Sequence, residues 1–468
     1  MKKKQIYLDI PRLEPVYQTV TERVSHYGEF LVAPATADVV RQAERCMTCG
    51  VPFCHNVGCP LGNQIPDTNS LVFEERWRDA SNLLHNYDNF PEFTGRICPA
   101  LCEASCVHSI SGDAVTIRQI ELEIVERAWK SGWIVPQYAQ FKTGKKAAVV
   151  GSGPAGLAAA QQLSRAGHEV VVFEKEQLPG GILRYGIPDF KLEKWVIDRR
   201  IKQMEAENVF FETGATIGYD LSLDYLRRRF DALVLAGGAM EPRDIDIPGR
   251  KTNGIYQAMQ YLIASNYAVW ENRRSEIDAK GKHVVIIGGG DTGADCLGTA
   301  LRQNAADVAQ IEIMPKPPEG RSEKTPWPQW PIMLRSGTSH KEGGTRRWSV
   351  TTKKFVATKD KLTGVECAEV EWVDGKPVEK AGTAFTLKAD MVLLAMGFVH
   401  PKHDNLLESL GIGYDARGNA EVDPNTRMTN INGVFAAGDM QSGASLVVRA
   451  INSGRLAAMG ADAFLRKV

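Results

Sequence analysis

Seven of the nine cysteines crowd into one stretch: Cys46, Cys49, Cys54, Cys59, Cys98, Cys102 and Cys106. The pattern is Cys-x2-Cys-x4-Cys-x4-Cys-Pro, then Cys-Pro-x2-Cys-x3-Cys. Thiolates spaced this closely hold iron–sulfur clusters, often with a proline after a ligand. Seven is too many for one four-thiolate cluster and one short of two, so a non-cysteine ligand is expected. Zinc is the rival, since it also takes Cys-x2-Cys pairs and His55 or His108 stands nearby. A catalytic dithiol is the second rival, but neither glycine-rich unit downstream carries Cys-x-x-Cys. Cys296 and Cys367, outside the stretch, read as small core residues. An odd count argues against a disulfide framework and for a reducing compartment, so a cytoplasmic location is expected.

Two glycine loops supply the other chemistry. Gly151-Ser152-Gly153-Pro154-Ala155-Gly156 follows the apolar run Ala147 to Val150 and opens a helix over Leu157 to Arg165. A second strand, Val170 to Phe173, ends at Glu174. This is the dinucleotide fingerprint in full: Gly151 for the turn, Gly153 for close approach to a pyrophosphate, Gly156 for helix packing, and Glu174 for ribose hydroxyls. The pattern restarts at His283 to Ile287 with Gly288-Gly289-Gly290-Asp291-Thr292-Gly293 and a helix over Ala294 to Gln303. Its next strand is read as Gln310 to Met314, which puts Met314 where Glu174 stands in the first unit. A missing acid there, with Lys316 and Arg321 close by, favours NADPH over NADH. Two dinucleotide sites in one chain imply a flavin facing a nicotinamide.

The elements around these residues divide the chain. Residues 1–143 read as a helical cysteine-rich domain, with helical spacing over Leu71 to Leu84 and Ile117 to Trp129. Residues 144–280 read as the first part of one Rossmann-like unit, 281–394 as a second, and 395–468 as a return to the first. The expected class is α/β, a helical domain followed by two Rossmann-like domains, one inserted in the other. Lys+Arg and Asp+Glu both number 56, so no basic excess points to nucleic acid or an anionic membrane. The basic start Met1-Lys2-Lys3-Lys4 has no apolar stretch behind it, and no run is long enough to span a bilayer, so neither a secretory signal nor membrane insertion is expected.

A set of short motifs carries a resemblance. They are Arg45-Cys46-Met47-Thr48-Cys49-Gly50, Cys54-His55-Asn56-Val57-Gly58-Cys59-Pro60, Gly95-Arg96-Ile97-Cys98-Pro99, Ala114-Val115-Thr116-Ile117, Gly180 to Pro188, and Phe435-Ala436-Ala437-Gly438-Asp439. Together they resemble the small (beta) subunits of bacterial NADPH-dependent glutamate synthases, and also the N-terminal electron-input region of dihydropyrimidine dehydrogenase. The stretches Pro326 to Pro331 and His340 to Gly344 are closer to the former.

The resemblance implies two [4Fe-4S] clusters, one on Cys46, Cys49, Cys54 and Cys106. The other would sit on Cys59, Cys98, Cys102 and a non-cysteine ligand. In dihydropyrimidine dehydrogenase that ligand is a glutamine, and alignment places Glu121 there. It implies FAD beside Gly181, Leu183, Ala155, Gly438, Asp439 and Val447, NADPH at the second loop, and Gly397 at the crossing between units. It also implies an FMN-bearing large (alpha) subunit as partner, making glutamate from glutamine and 2-oxoglutarate. The alternatives are the electron-input subunit of a dihydropyrimidine dehydrogenase or of a ferredoxin–NADP transhydrogenase, or a zinc-stabilised scaffold without catalysis.

Overall fold

The computed structural model describes residues 9–403 and 405–467; the basic start lies outside them. The N-terminal region is helical because its apolar residues recur at helical spacing. In Trp77–Tyr87 the buried residues are Trp77, Ala80, Ser81 and Leu84, one face of the helix. The stretch read as helical from Leu71 to Leu84 is two helices, Ile65–Phe73 and Trp77–Tyr87. They part at Glu75, whose backbone is left-handed at φ +56°. Helix Ile117–Lys130 runs through the middle, burying Ile117, Ile120, Ile124, Val125 and Ala128. Glu121 lies on that same buried stripe.

Two parallel sheets follow. The first holds β1 (Lys146–Val150), β2 (Glu169–Glu174), β3 (Val209–Thr213), β4 (Ala232–Leu235) and the late strand β14 (Val434–Ala436), in the order β14-β4-β1-β2-β3. The second holds β5 (Ile255–Gln257), β6 (His283–Ile287), β7 (Asp307–Ile311), β8 (Thr345–Arg347) and β13 (Met391–Leu394), in the order β5-β13-β6-β7-β8. The two sheets share one plan, with β6, β7, β8 and β13 in the places of β1, β2, β3 and β4. Every pairing is parallel. Strands buried on both faces read as continuous apolar runs, as Ala147 to Val150 does. An antiparallel sheet of β9 (Val350–Thr358), β10 (Lys361–Val373), β11 (Lys376–Glu379) and β12 (Phe385–Lys388) interrupts the second unit before β13.

The chain returns to the first sheet at β14, so the second unit is inserted in the first. The sequence reading carried the first unit to residue 280, but β5 pairs with β13, so the chain has crossed by residue 255. A short polar strand such as Ile255–Gln257 has too little apolar alternation to announce which sheet it joins. The two crossing segments pair where Arg243 N donates to Gly397 O at 2.9 Å and Val399 N to Glu241 O at 2.8 Å. Among the described residues no helix is long and apolar enough to cross a membrane.

Candidate functional site

The seven clustered cysteines stand in two groups. Cys59, Cys98 and Cys102 line a cavity, and Glu121 lines it with them. Asn63 Nδ2 donates to Glu121 Oε1 at 2.9 Å, and burial pushes the Glu121 carboxyl up to about 8. Burial also pushes the Cys59 thiol up to about 12 and the Cys98 thiol to about 11. Such thiols ionise only beside strong positive charge, as an iron centre would supply. Backbone N–H groups of Asn63 and Leu61 donate to Cys59 Sγ, and Ala100 N donates to Cys98 Sγ at 3.4 Å. Amides aimed at sulfur tune iron–sulfur centres.

The second group is Cys46, Cys49, Cys54 and Cys106. Burial is the main cause that raises the Cys54 thiol to about 12, and the nearby Cys106, Cys46 and Cys49 raise it further. Burial likewise raises Cys49, helped by Cys46 and Cys106. Arg45 is buried and donates to the carbonyls of Ile10, Asp113 and Ala114 at 2.8–2.9 Å. It thereby holds the loop that leads into the Glu121 helix. Two short segments join the groups: Cys54 to Cys59 and Cys102 to Cys106 each carry one cysteine to each side. They interlock, since a Cβ on Gly58 would come within 2.6 Å of Cys102 Cα.

Among the described residues, no three His, Cys, Asp or Glu side chains close on a point as a single ion requires. Cys59, Cys98 and Cys102 line one space with Glu121, as the ligands of an iron–sulfur cluster would. His55 is turned to the backbone, its Nδ1 within 3.0 Å of Asn63 O. Cys296 and Cys367 are fully buried core residues.

The first glycine loop lies between β1 and helix Pro154–Arg165. Gly151 sits at φ +100°, where a Cβ would meet Ala236 O at 2.6 Å. Above Gly153 nothing lies within 4 Å, leaving room for a pyrophosphate at the helix N-terminus. Glu174 is buried and accepts from Ser152 N at 3.1 Å, Ser152 Oγ at 2.5 Å and Glu176 N at 3.0 Å. Gly181 packs on this loop, and Leu183 behind it is fully buried. Gly438 closes on Ala155, where a Cβ would come within 2.7 Å. Asp439 accepts from Ser445 N and Oγ at 3.2 Å, and burial raises its carboxyl to about 6. Val447 begins helix Val447–Leu465, and the next residue, Val448, lines the Cys59–Cys98–Cys102 cavity.

The second loop repeats the first. Gly288 sits at φ +124°, where a Cβ would meet Ala395 O at 2.2 Å. Gly290 is open above, and Asp291, Thr292 and Gly293 form the first turn of helix Asp291–Arg302. One expectation fails here. The strand is Asp307–Ile311, not Gln310 to Met314, and the acid thought missing is Glu312. Ile287 pairs with Ile311 as Val150 pairs with Phe173, so Glu312 matches Glu174, and Met314 matches Glu176. The strand ends three residues earlier than expected, but the acid position moves by two, from Met314 to Glu312, which keeps it on the same face, so apolar alternation cannot reveal it. Arg321 is also otherwise engaged, donating to the carbonyls of Thr325, Gln329 and Ala104. Lys316 remains on the loop after β7, 3.7 Å from Glu319 and over the Trp348 ring.

Several connections had no sequence signal. Arg200 and Glu92 pair in full burial at 2.6 and 2.8 Å, joining the first unit to the helical domain. Glu342 lies between Arg302 at 2.7 Å and Arg23 at 2.9 Å, joining the second unit to it. The 318–335 segment also reaches back, with the Trp327 ring packed against Phe53 at a tilt of 52° and its Nε1 donating to Cys106 O at 3.3 Å.

Comparison with known proteins agrees with this layout. Residues 23–133 match the family described as dihydropyrimidine dehydrogenase domain II, 4Fe-4S cluster, and residues 145–454 match pyridine nucleotide-disulphide oxidoreductase. The glutamate synthase [NADPH] small chain of Mycobacterium tuberculosis is 51% identical over 99% of this chain and 95% of its own length. That of Bacillus subtilis is 40% identical over 99% of both chains. The glutamate synthase [NADH] of Schizosaccharomyces pombe is 40% identical over 97% of this chain and 22% of its own. Among solved structures, Mycobacterium tuberculosis FprA in complex with NADPH matches with a TM-score of 0.55 at 18% identity, covering 69% of this chain and 85% of that one. That likeness speaks for the two-unit fold alone.

Proposed function

This chain belongs to the pyridine nucleotide-disulphide oxidoreductases and to the family of glutamate synthase small chains, and from that premise we propose that it is the electron-input subunit of such an enzyme. The first loop holds FAD and the second a nicotinamide donor, NADPH being the one named for the bacterial relatives. The two cysteine groups hold two [4Fe-4S] clusters, one on Cys46, Cys49, Cys54 and Cys106, the other on Cys59, Cys98, Cys102 and Glu121. When bound, the flavin would accept hydride as an electron pair and the clusters would carry electrons one at a time. An FMN-bearing large subunit completes glutamate formation from glutamine and 2-oxoglutarate.

The observation that carries this reading is the continuity of the sites. Val448 lines the Cys59–Cys98–Cys102 cavity from the helix that packs on the first loop at Gly454, where a Cβ would come within 2.1 Å of Ala155 O. The Cys54–Cys59 and Cys102–Cys106 segments then join that cavity to the other cysteines. This supports an order from the first loop through the Glu121 cavity to the Cys46 group. The chain's own residues bind and orient. Glu174 takes ribose hydroxyls, the helix at Pro154 faces phosphate, and buried thiolates and sulfur-directed amides set the cluster environment. No residue is required as an acid or base.

Anaerobic NADPH oxidation in the presence of a large subunit tests the reading. Oxidation that requires both glutamine and 2-oxoglutarate is expected; oxidation that requires uracil instead would assign the chain elsewhere. Iron and acid-labile sulfide should both be present, and zinc without sulfide would sink the cluster assignment.

A further inference from the structure

The two loops share two backbone hydrogen bonds to the acid that follows the second strand of each unit. In the first unit Ser152 N donates to Glu174 Oε2 at 3.1 Å and Glu176 N to Oε1 at 3.0 Å. In the second, Gly289 N donates to Glu312 Oε2 at 2.6 Å and Met314 N to Oε1 at 3.0 Å. The carboxylate packs so closely on the loop that a Cβ on Gly289 would come within 2.5 Å of Glu312 Oε2. A carboxylate has about four acceptor positions, and these amides use two, leaving the rest for a ligand. An acid at this point accepts from a ribose 2′-hydroxyl and repels a 2′-phosphate.

The cations that would offset that repulsion are mostly engaged. Arg321 spends its donors on three carbonyls. Arg346 donates to Arg335 O at 3.3 Å and lies over Trp348. Lys316 is exposed and shares its charge with Glu319.

We propose that the second site takes NADH as a hydride donor, with Glu312 as the residue that sets the balance between NADH and NADPH by holding the ribose 2′-hydroxyl. This rests on the reading of the second loop as the nicotinamide site. Hydride leaves the dihydronicotinamide ring as an electron pair for the flavin, releasing NAD⁺ in place of NADP⁺; the chemistry at the ring is the same for both.

The holoprotein is assayed with NADH and with NADPH, using ferricyanide as electron acceptor so that no large subunit is needed. Binding of NAD⁺ and NADP⁺ is measured separately by calorimetry. Wild type should oxidise NADH with a kcat/KM equal to or above that for NADPH. Glu312→Gln and Glu312→Ser should each move the NADPH/NADH ratio of kcat/KM toward NADPH by at least about tenfold, with the binding ratio moving in step. Wild type that oxidises NADPH and not NADH, or variants whose ratio stays at the wild-type value, would overturn the role of Glu312 while leaving the nicotinamide site standing. Failure of both nucleotides to reduce the flavin would overturn the site itself, and the inference with it.

Discussion

The two dinucleotide units are built on one plan and closed in different ways. Both have a parallel sheet of the same strand order, a glycine loop against the neighbouring strand, and an acid bound to that loop by two backbone amides. In the first, Glu174 is buried and takes a third bond from Ser152 Oγ. The returning chain seals the loop: Gly438 sits on Ala155, and helix Val447–Leu465 lies along helix Pro154–Arg165. In the second, Glu312 is only half-buried and Gly289 offers no side-chain bond. A sealed acid suits a cofactor that stays; a half-open one suits a nucleotide that arrives and leaves.

The largest expected effects concern how each unit is fixed to the helical domain. Each attachment includes a buried ion pair, Arg200 with Glu92 in the first and Glu342 between Arg302 and Arg23 in the second. Removing one partner of a buried pair leaves an uncompensated charge, costing about 3–5 kcal/mol. Glu92→Gln strands one guanidinium and Glu342→Gln strands two, so the second substitution should cost more. Urea denaturation followed by tryptophan fluorescence measures both. Losses below about 1 kcal/mol in each would mean that water reaches these pairs and that the difference between them is empty.

The next effect separates the two acids. Glu174→Ala removes three bonds to a buried carboxylate and its contact with a bound ribose. At about 1.5–3 kcal/mol for a charged hydrogen bond, FAD affinity should fall by at least about a hundredfold. Glu312→Ala should leave the flavin content of purified protein at the wild-type level. Absorbance ratios of flavin to protein decide this, and equal loss in both variants would erase the distinction between a resident and a visiting nucleotide.

Sequence revealed what is local. The glycine loops and the cysteine run were legible because a few consecutive residues carry the whole geometry. Glu174 was legible because β2 ends on it after an unbroken apolar run. Glu312 was missed because Ile311-Glu312-Ile313-Met314 continues the alternation past the end of β7, and a two-residue slip does not change faces. Glu121 carries a further signal: it is the one acid among the buried residues of helix Ile117–Lys130. Arg200 and Glu92 could not be found this way. They lie 108 residues apart, and each alone reads as a surface charge on a helix.

The smallest predicted effect is a difference in acid response between the two attachments. His85 sits beside the first: its Nδ1 is 2.8 Å from Ser81 O and its Nε2 is 3.4 Å from Arg200 Nη2. The first contact fixes the proton on Nδ1, and the second requires a lone pair on Nε2. Burial, and then the Arg200 charge, push the imidazole down from the usual 6.5 to about 4. Between these values the unfolded chain binds a proton that the folded chain refuses, so stability falls as pH falls through that window. From pH 7 to pH 5 the loss from this one group is about 1–2 kcal/mol. The Glu342 attachment is made of guanidiniums, a carboxylate and backbone carbonyls; the nearby His340, also pushed down to about 4 by burial, turns to Gln310 Oε1 at 2.9 Å and not to a guanidinium. His85→Gln keeps a donor and an acceptor without titrating near neutrality. Its stability, measured by urea denaturation at steps from pH 7 to pH 5, should therefore fall less than that of wild type. Parallel curves for the two proteins would show that His85 accepts its proton in the folded state, and that the first attachment tolerates acid as well as the second.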